Sequence, residues 1–364
     1  RLLQWLEGAG KLNRALEFLP NDDEIARRRL NKTGLTAPEN AVVLAYAKMA
    51  VFDDLVASNL PDDPYFNRAL RAYFPHALSE KFGEGIGRHP LKREIIATFI
   101  TNTVVNRTGA TFVNFLAAEA AATTADVVRA YTLAREIFDL EPLWDQIDAL
   151  DYSVSSTLQL DLLSKLVAIA QRASRWMLRL RVQGTDMPTL IARYQPAARE
   201  LSGHLAEWLP GHLVENWQMA TDKLVQAGVA SDLARSLTAL EFIFPAFDLA
   251  DLAANASVTL EQAARIYFAV DDKLSLISWR AQINRLPTDT LWQTQARGSA
   301  RDEVYAIASQ IAQAVLARHE GVNDWADQHA TSIERLRKLM HTISTQSADL
   351  APISVALRQL RHLA

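Results

Sequence analysis

Residues 81–112 read KFGEGIGRHPLKREIIATFITNTVVNRTGATF. Glycines at positions 83, 85 and 87 stand just ahead of a run with helical rhythm, and the fold class turns on whether they cradle a phosphate. A dinucleotide fingerprint needs G-x-G-x-x-G directly after a strand, so that backbone can approach a pyrophosphate at a helix N-terminus. Here the spacing is G-x-G-x-G, and the preceding residues 73–82 are helix-like rather than alternating. No acidic residue closes a second strand about 20 residues on, and the Gly-Lys-Ser/Thr of a P-loop is missing. The stretch therefore reads as a helix C-terminus, a corner, and a new helix with Pro90 in its first turn.

Working outward, the same rhythm continues. In residues 125–138, Val127, Val128, Tyr131, Ala134, Ile137 and Phe138 fall on one face of a 3.6-residue period, as do Val304, Ile307, Ala308, Ile311 and Val315 in residues 301–316. Helix starts are signed at Thr36-Ala37-Pro38-Glu39, Thr123, Asp186 and Ser299, and stops at Gly34, Gly109, Gly184 and Pro210-Gly211. Strand alternation with turn dipeptides is absent. The expectation is an all-α protein of about fifteen or more helices with no Rossmann domain. An internal repeat is also present. Leu116 to Ala120 recurs as Leu252 to Ala256, Tyr131 as Tyr267 and Ile147 as Ile283. The offsets 252 − 116, 267 − 131 and 283 − 147 all equal 136, so one helical unit reads as used twice. The expected organisation is an irregular N-terminal helical region over 1–89, a first helical unit over 90–224, a second over 225–320, and C-terminal helices over 321–364: one long polar amphipathic helix and a shorter one.

The 364 residues include no cysteine, which removes disulfides, thiolate catalysis and Cys-type zinc sites, and points to a reducing cytoplasm. A net charge of −4 offers no general basic field for nucleic acid. No apolar run reaches the ~20 residues that cross a bilayer, so no membrane partner is expected. The opening RLLQWLEGAGKLNRALEFLP lacks Met and is already in helical rhythm, as in a segment of a longer protein.

No motif for chemistry is complete. A helical D-D-x-x-D magnesium site fails at Ala57 after Asp53-Asp54 and at Ser275 after Asp271-Asp272, and Asp62-Asp63 between prolines reads as a helix cap. The eight histidines include no H-x-x-x-H pair, and Pro210-Gly211 breaks the chain between His204 and His212. No metal site is expected. Trp5, Trp144, Trp176, Trp208, Trp217, Trp279 and Trp292 read as core residues. The segment 91–107 is different. Glu94, Thr98, Asn102 and Asn106 are interleaved with Ile95, Ile96, Phe99, Ile100, Val104 and Val105. Polar groups so close to a broad apolar surface need partners, inside this fold or on a neighbouring domain.

Five ordered stretches carry a family resemblance: RALEFLPNDDEIARR, TGLTAPENAVVLAYAKMAVFDDLVASNLPDDPYF, YFPHAL, LKREIIATFITNTVVNRTGATFV and VVRAYTLAREIFDLEPLWDQIDALD. Together they resemble the C-terminal portion of the large bacterial NAD-specific glutamate dehydrogenases, closely over residues 1–151 and more loosely beyond. The resemblance implies a parent enzyme that converts L-glutamate and NAD to 2-oxoglutarate, ammonium and NADH. It also implies a homo-oligomer whose catalytic domain lies in the same chain, upstream of residues 1–89. Catalysis in that family uses a lysine in Gly-Gly-x-Lys, an aspartate and a Rossmann domain. This chain has no Gly-Gly pair, so no catalytic or cofactor-binding residue is carried over, and NAD is expected on the parent enzyme rather than on this segment. The residues expected to touch the rest of the enzyme are Arg88, Arg93, Glu94, Thr98, Asn102, Asn106 and Arg107, with the LTAPENAVVLAYAK helix beside them. The alternative is an independent all-helical interaction module with no enzymatic activity.

Overall fold

The computed structural model describes residues 2–180, 185–319, 321–345 and 349–364. The stop read at Gly184 lies outside them. Among the described residues there are twenty α-helices, two 3₁₀ turns and no strand, so the chain is all-α without a Rossmann domain. The helices are α1 (Leu2–Gly8), α2 (Asp22–Leu30), α3 (Ala37–Ala57), α4 (Asn67–Tyr73), α5 (His76–Gly87), α6 (Lys92–Thr108), α7 (Phe112–Ala120), α8 (Thr124–Ile137), α9 (Leu140–Asp148) and α10 (Ser156–Arg179). They continue with α11 (Met187–Trp208), α12 (Gly211–Gln226), α13 (Ser231–Ile243), α14 (Ala246–Ala256), α15 (Leu260–Lys273), α16 (Leu276–Asn284), α17 (Leu291–Arg318), α18 (Val322–Gln328), α19 (Ala330–Ser344) and α20 (Leu350–Arg361). Two compact units divide the chain. One holds Arg1–Glu136 with Leu163–Leu190, the other Ile137–Leu162 with Ile191–Ala364.

In the first unit, α3 is the axis. Thr36 caps it, and Glu39 reaches back to the Thr36 backbone N–H, which satisfies two donors that a helix start leaves without partners. Its small inward residues Val43, Ala47 and Ala50 let Leu2, Leu3 and Leu6 of α1 and Leu12 and Leu19 of the following loop close over it. Each fully buried leucine contributes roughly 1.5–3 kcal/mol. Farther along, α3 and α4 pack on α6. Glu39 also accepts two hydrogen bonds from the Arg28 guanidinium, at 2.7 and 3.1 Å, which ties α2 to α3. These bonds, with the Thr36 N–H, hold the Glu39 carboxyl down to about 2, from an ordinary 4.5. A depressed carboxylate stabilises the fold above its unfolded value, and that contribution is lost as pH falls. The α2–α3 link is therefore intact above about pH 4.5 and loosens towards pH 2. Glu39→Gln is expected to flatten the pH dependence of the urea midpoint in this window. An unchanged dependence would mean that other carboxylates carry the acid sensitivity.

In the second unit, α17 runs for 28 residues with α14, α15, α16 and α20 packed on it. Small and branched residues, among them Ala300, Val304, Ile307, Ala308, Ile311, Ala312 and Val315, form its buried surface. Elsewhere in the unit α12 pairs with α13, and α19 lies on α20.

The 136-residue offset reappears in the elements themselves. Helix α8 recurs as α15, with 260 − 124 and 273 − 137 both equal to 136, and α9 recurs as α16, with 276 − 140 and 284 − 148 giving the same value. Even the left-handed backbone repeats: Ala121 and Ser257 end α7 and α14, while Asp139 and Ser275 precede α9 and α16. Such a φ costs a non-glycine residue about 1–2 kcal/mol, so its recurrence at matched positions reflects the same turn geometry. Tyr131 and Tyr267 are both fully buried.

Several local readings are corrected. Ser299 does not start a helix. Thr290 and Gln293 form a complete capping box nine residues earlier, and Ser299 falls inside α17. No glycine corner stands at 83–87. The helix α5 continues through all three glycines after a kink at Phe82, and the corner is Arg88 to Leu91, with Pro90 ahead of α6. Among the described residues after 320 there are three helices, because His329 leaves helical geometry between α18 and α19. Trp5 and Trp292 are exposed, Trp292 by 77 %, while Trp325, which the pattern did not single out, is buried.

Candidate interaction surface

Helix α6 is built to face two ways. Ile96, Ala97, Ile100, Thr101, Val104, Val105 and Thr108 are buried, and Gly109, at φ +85°, ends the helix in a conformation that a side chain would strain. Arg93 turns inward. Its guanidinium pairs with Asp62 and donates to the Val56 and Ser58 carbonyls, both at 2.8 Å, so it closes the C-terminal end of α3, where helix carbonyls lack partners. The Thr98 hydroxyl donates to the Glu94 carbonyl one turn back at 2.7 Å, and Glu94 is half-buried. Asn102 is exposed and accepts from Lys48 of α3 at 2.9 Å. Asn106 is exposed, and Arg107 is half-buried. Arg88, at the end of α5, is exposed and lies 3.6 Å from Glu84. The structure thus brings Arg93, Glu94, Thr98, Asn102, Asn106 and Arg107 onto one helix, with Arg88 at the preceding corner. Arg93, Thr98 and Asn102 bond within their own unit, and Arg88, Asn102 and Asn106 are exposed.

The glycine run and the acidic pairs are engaged in structural contacts. Gly83, Gly85 and Gly87 lie on the helical stretch of α5 that follows a kink at Phe82, not on a loop between a strand and a helix. Among the acidic pairs, Asp53 meets Lys11 at 3.1 Å and Asp54 accepts from Thr124 at 2.6 Å. Asp62 and Asp63 pair with Arg93 and Arg129. Asp271 pairs with Arg280, and Asp272 lies 3.2 Å from His212. Carboxylates so engaged are not arranged to converge on a cation. Among the described residues, no three histidine or acidic side chains are grouped to hold a metal ion. No helix among them is long and apolar enough to cross a membrane.

Two small cavities lie in the second unit. One, of about 280 Å³, is lined chiefly by Leu274, Trp279, Ile333, Leu336 and Met340. The other, of about 200 Å³, has Asp139 and Arg199 among its lining residues, and these form a two-bond pair at 2.9 and 3.0 Å. Neither sets a nucleophile beside a base. Leu16 and Phe18, in the loop that follows α1, are exposed, and nothing in the sequence pattern marks them. Helical periodicity does not govern a turn, so no pattern marks which of its leucines point outward.

The family model described as "Glutamate dehydrogenase, C-terminal" matches residues 32–362. The chain is 36% identical over 372 aligned residues to the NAD-specific glutamate dehydrogenase of Pseudomonas aeruginosa and 34% identical over 372 to that of Halomonas elongata. It is 30% identical over 369 to that of Mycobacterium tuberculosis. These alignments cover 100%, 100% and 99% of the chain but 23% of each relative, so the chain spans less than a quarter of the length of the curated relatives it matches. With a match across nearly its whole length and an all-helical fold, the chain belongs to the glutamate dehydrogenase C-terminal family.

Proposed function

We propose that this chain is the C-terminal helical portion of an NAD-dependent glutamate dehydrogenase. The whole enzyme converts L-glutamate, NAD and water to 2-oxoglutarate, ammonium and NADH in the cytoplasm. The portion itself is non-catalytic and acts in interdomain packing, assembly or regulation. The observation that carries this reading is the full-length match to less than a quarter of NAD-specific relatives. NAD is assigned to the rest of the parent enzyme, since among the described residues the glycine run is helix and no strand sets up a Rossmann phosphate-binding turn. No catalytic step is therefore assigned to this chain. Its partners are the catalytic portion of the same polypeptide and further copies of the enzyme. Of the residues expected at that contact, Arg88, Asn102 and Asn106 are exposed.

The test is glutamate-dependent NADH formation by three samples: this segment, the parent enzyme lacking it, and the two mixed. The segment alone is expected to be inactive. The truncated enzyme is expected to lose on the order of tenfold or more in kcat/KM, equivalent to about 1.4 kcal/mol of transition-state stabilisation, with partial recovery on mixing. Turnover by the segment alone overturns the non-catalytic assignment. Unchanged activity after truncation would restrict the role to assembly or regulation.

A further inference from the structure

Residues 11–20, KLNRALEFLP, form a loop whose framework is held at several points. Leu12 and Leu19 are buried in the core with Leu6 and Ala47. Between them Arg14 donates to Glu7 at 2.7 Å, to Asp22 at 2.7 Å and to the Pro20 carbonyl at 3.3 Å. The Asn13 side chain accepts from the backbone N–H of Ala15 at 3.1 Å and of Leu16 at 3.3 Å, and Tyr46 of α3 donates to Glu17 at 2.6 Å. Within this frame Leu16 is 73 % exposed and Phe18 is 92 % exposed. Phe18 also holds a left-handed backbone, φ +54°, which a bulky aromatic rarely adopts. Single exposed apolar residues are ordinary. A leucine and a phenylalanine two positions apart, turned out by a loop that is hydrogen-bonded on both sides, are not scattered exposure.

We propose that this loop is a docking knob, with Leu16 and Phe18 seated in an apolar pocket of the rest of the parent polypeptide. The inference rests on the proposed reading of the chain as part of a longer enzyme. Two observations select that occupant. The loop lies in residues 1–31, which align with the long relatives but fall outside the C-terminal family match that starts at 32. It therefore lies ahead of the C-terminal family region, on the side to which the resemblance assigns the catalytic portion. The knob is also small. Two side chains supply far less than the roughly 1,200 Å² of a stable interface between separate molecules. Within one polypeptide, an effective concentration in the millimolar range makes so small a contact sufficient. Because the loop is ordered by its own bonds, docking costs little further conformational entropy.

The experiment uses the full parent polypeptide with p-benzoylphenylalanine in place of Phe18. It is prepared as a mixture of isotopically light and heavy copies, irradiated, and mapped by mass spectrometry. The expected adducts join position 18 to residues of the same copy outside this chain. Adducts between light and heavy copies, or none above the background given by the same group at exposed Leu160, overturn the proposal. Phe18→Gly gives a second reading. Glycine takes the left-handed φ without strain, so the loop keeps its shape while the aromatic contact is lost. Loss of a buried phenylalanine is worth roughly tenfold or more in a docking equilibrium, and proteolytic cleavage between this chain and the rest of the parent should accelerate accordingly. An unchanged cleavage rate counts against the knob. NADH formation by the unmodified parent is assayed separately. Its absence would refute the glutamate dehydrogenase reading and leave the cross-linking result to decide the docking.

Discussion

Arg280→Leu is expected to destabilise the second unit by about 3–5 kcal/mol, chiefly because it strands the Asp271 carboxylate in the core. The two side chains are only 7% and 5% exposed and form a two-bond pair, at 2.7 Å from Nη1 and 3.2 Å from Nη2. The guanidinium lies 4.9 Å from the Tyr305 ring centre, where the negative face of the ring adds attraction to the cation. Burial alone would lower the Arg280 pKa, but the Asp271 charge and its hydrogen bonds outweigh it and raise the value, so the arginine stays charged. Tyr267, fully buried in the same unit, has its hydroxyl pushed well above the usual tyrosine range, by burial first and then by the Asp271 charge. Removing one partner of a buried pair costs more than replacing both. Asp271→Leu with Arg280→Leu should therefore lose less than either single change, a coupling that a double-mutant cycle in urea measures directly. A single-mutant loss under about 1 kcal/mol would show that water reaches the pair and that it behaves as a surface bridge.

This pair marks the boundary of what the sequence could show. The sequence offered Asp271 only as part of an incomplete magnesium motif, and its burial on α15 appears in the structure. The sequence does not show that Arg280 meets it. The meeting depends on the left-handed turn at Ser275, which folds α16 back on α15, and a serine carries no strong signal for that conformation. At the matched positions 136 residues earlier stand Arg135 and Trp144, so the scaffold recurs while the buried charge pair does not.

Local signals with a short-range mechanism were legible. The Thr36–Glu39 box and the Gly109 stop depend on residues within a single turn, and both appear where the sequence placed them. The errors came where a second local signal outweighed the first. Thr290–Gln293 starts α17 ahead of Ser299, and the α5 glycines remain helical because a glycine in a helix costs only about 1 kcal/mol relative to alanine. On the candidate surface, α6 was identified as a helix with mixed polar and apolar residues, but the inward turn of Arg93 depends on where the end of α3 lies in space. The Leu16–Phe18 loop was invisible for the related reason that its shape comes from Arg14, Tyr46 and two buried leucines rather than from a repeating pattern.

Phe247→Ala is expected to cost about 3–5 kcal/mol, the range for truncating a buried aromatic side chain. Phe247 is fully buried, with Phe138 edge-on at 5.0 Å and Tyr194 edge-on at 5.4 Å between ring centres. Each such pair adds about 0.5–1.5 kcal/mol beyond area burial, because the positive edge of one ring meets the negative face of another. The cluster joins the turn between α8 and α9, the body of α11 and the first turn of α14, three segments far apart in the chain. Its rim is fixed as well. The Tyr194 hydroxyl donates to Asp251 at 3.2 Å, and burial, with the Asp251 charge, pushes that hydroxyl up to about 12. Tyr194 therefore stays a neutral donor throughout the working pH range. Phe247→Leu refills part of the space and should lose roughly 1–2 kcal/mol, so the alanine-to-leucine difference separates the cavity from the lost ring contacts. Both are read from urea midpoints at constant slope. If alanine and leucine destabilise equally, the ring geometry rather than the filled volume holds the three helices. If neither exceeds 1 kcal/mol, the unit relaxes around the site, and its stability resides in the α17 packing instead.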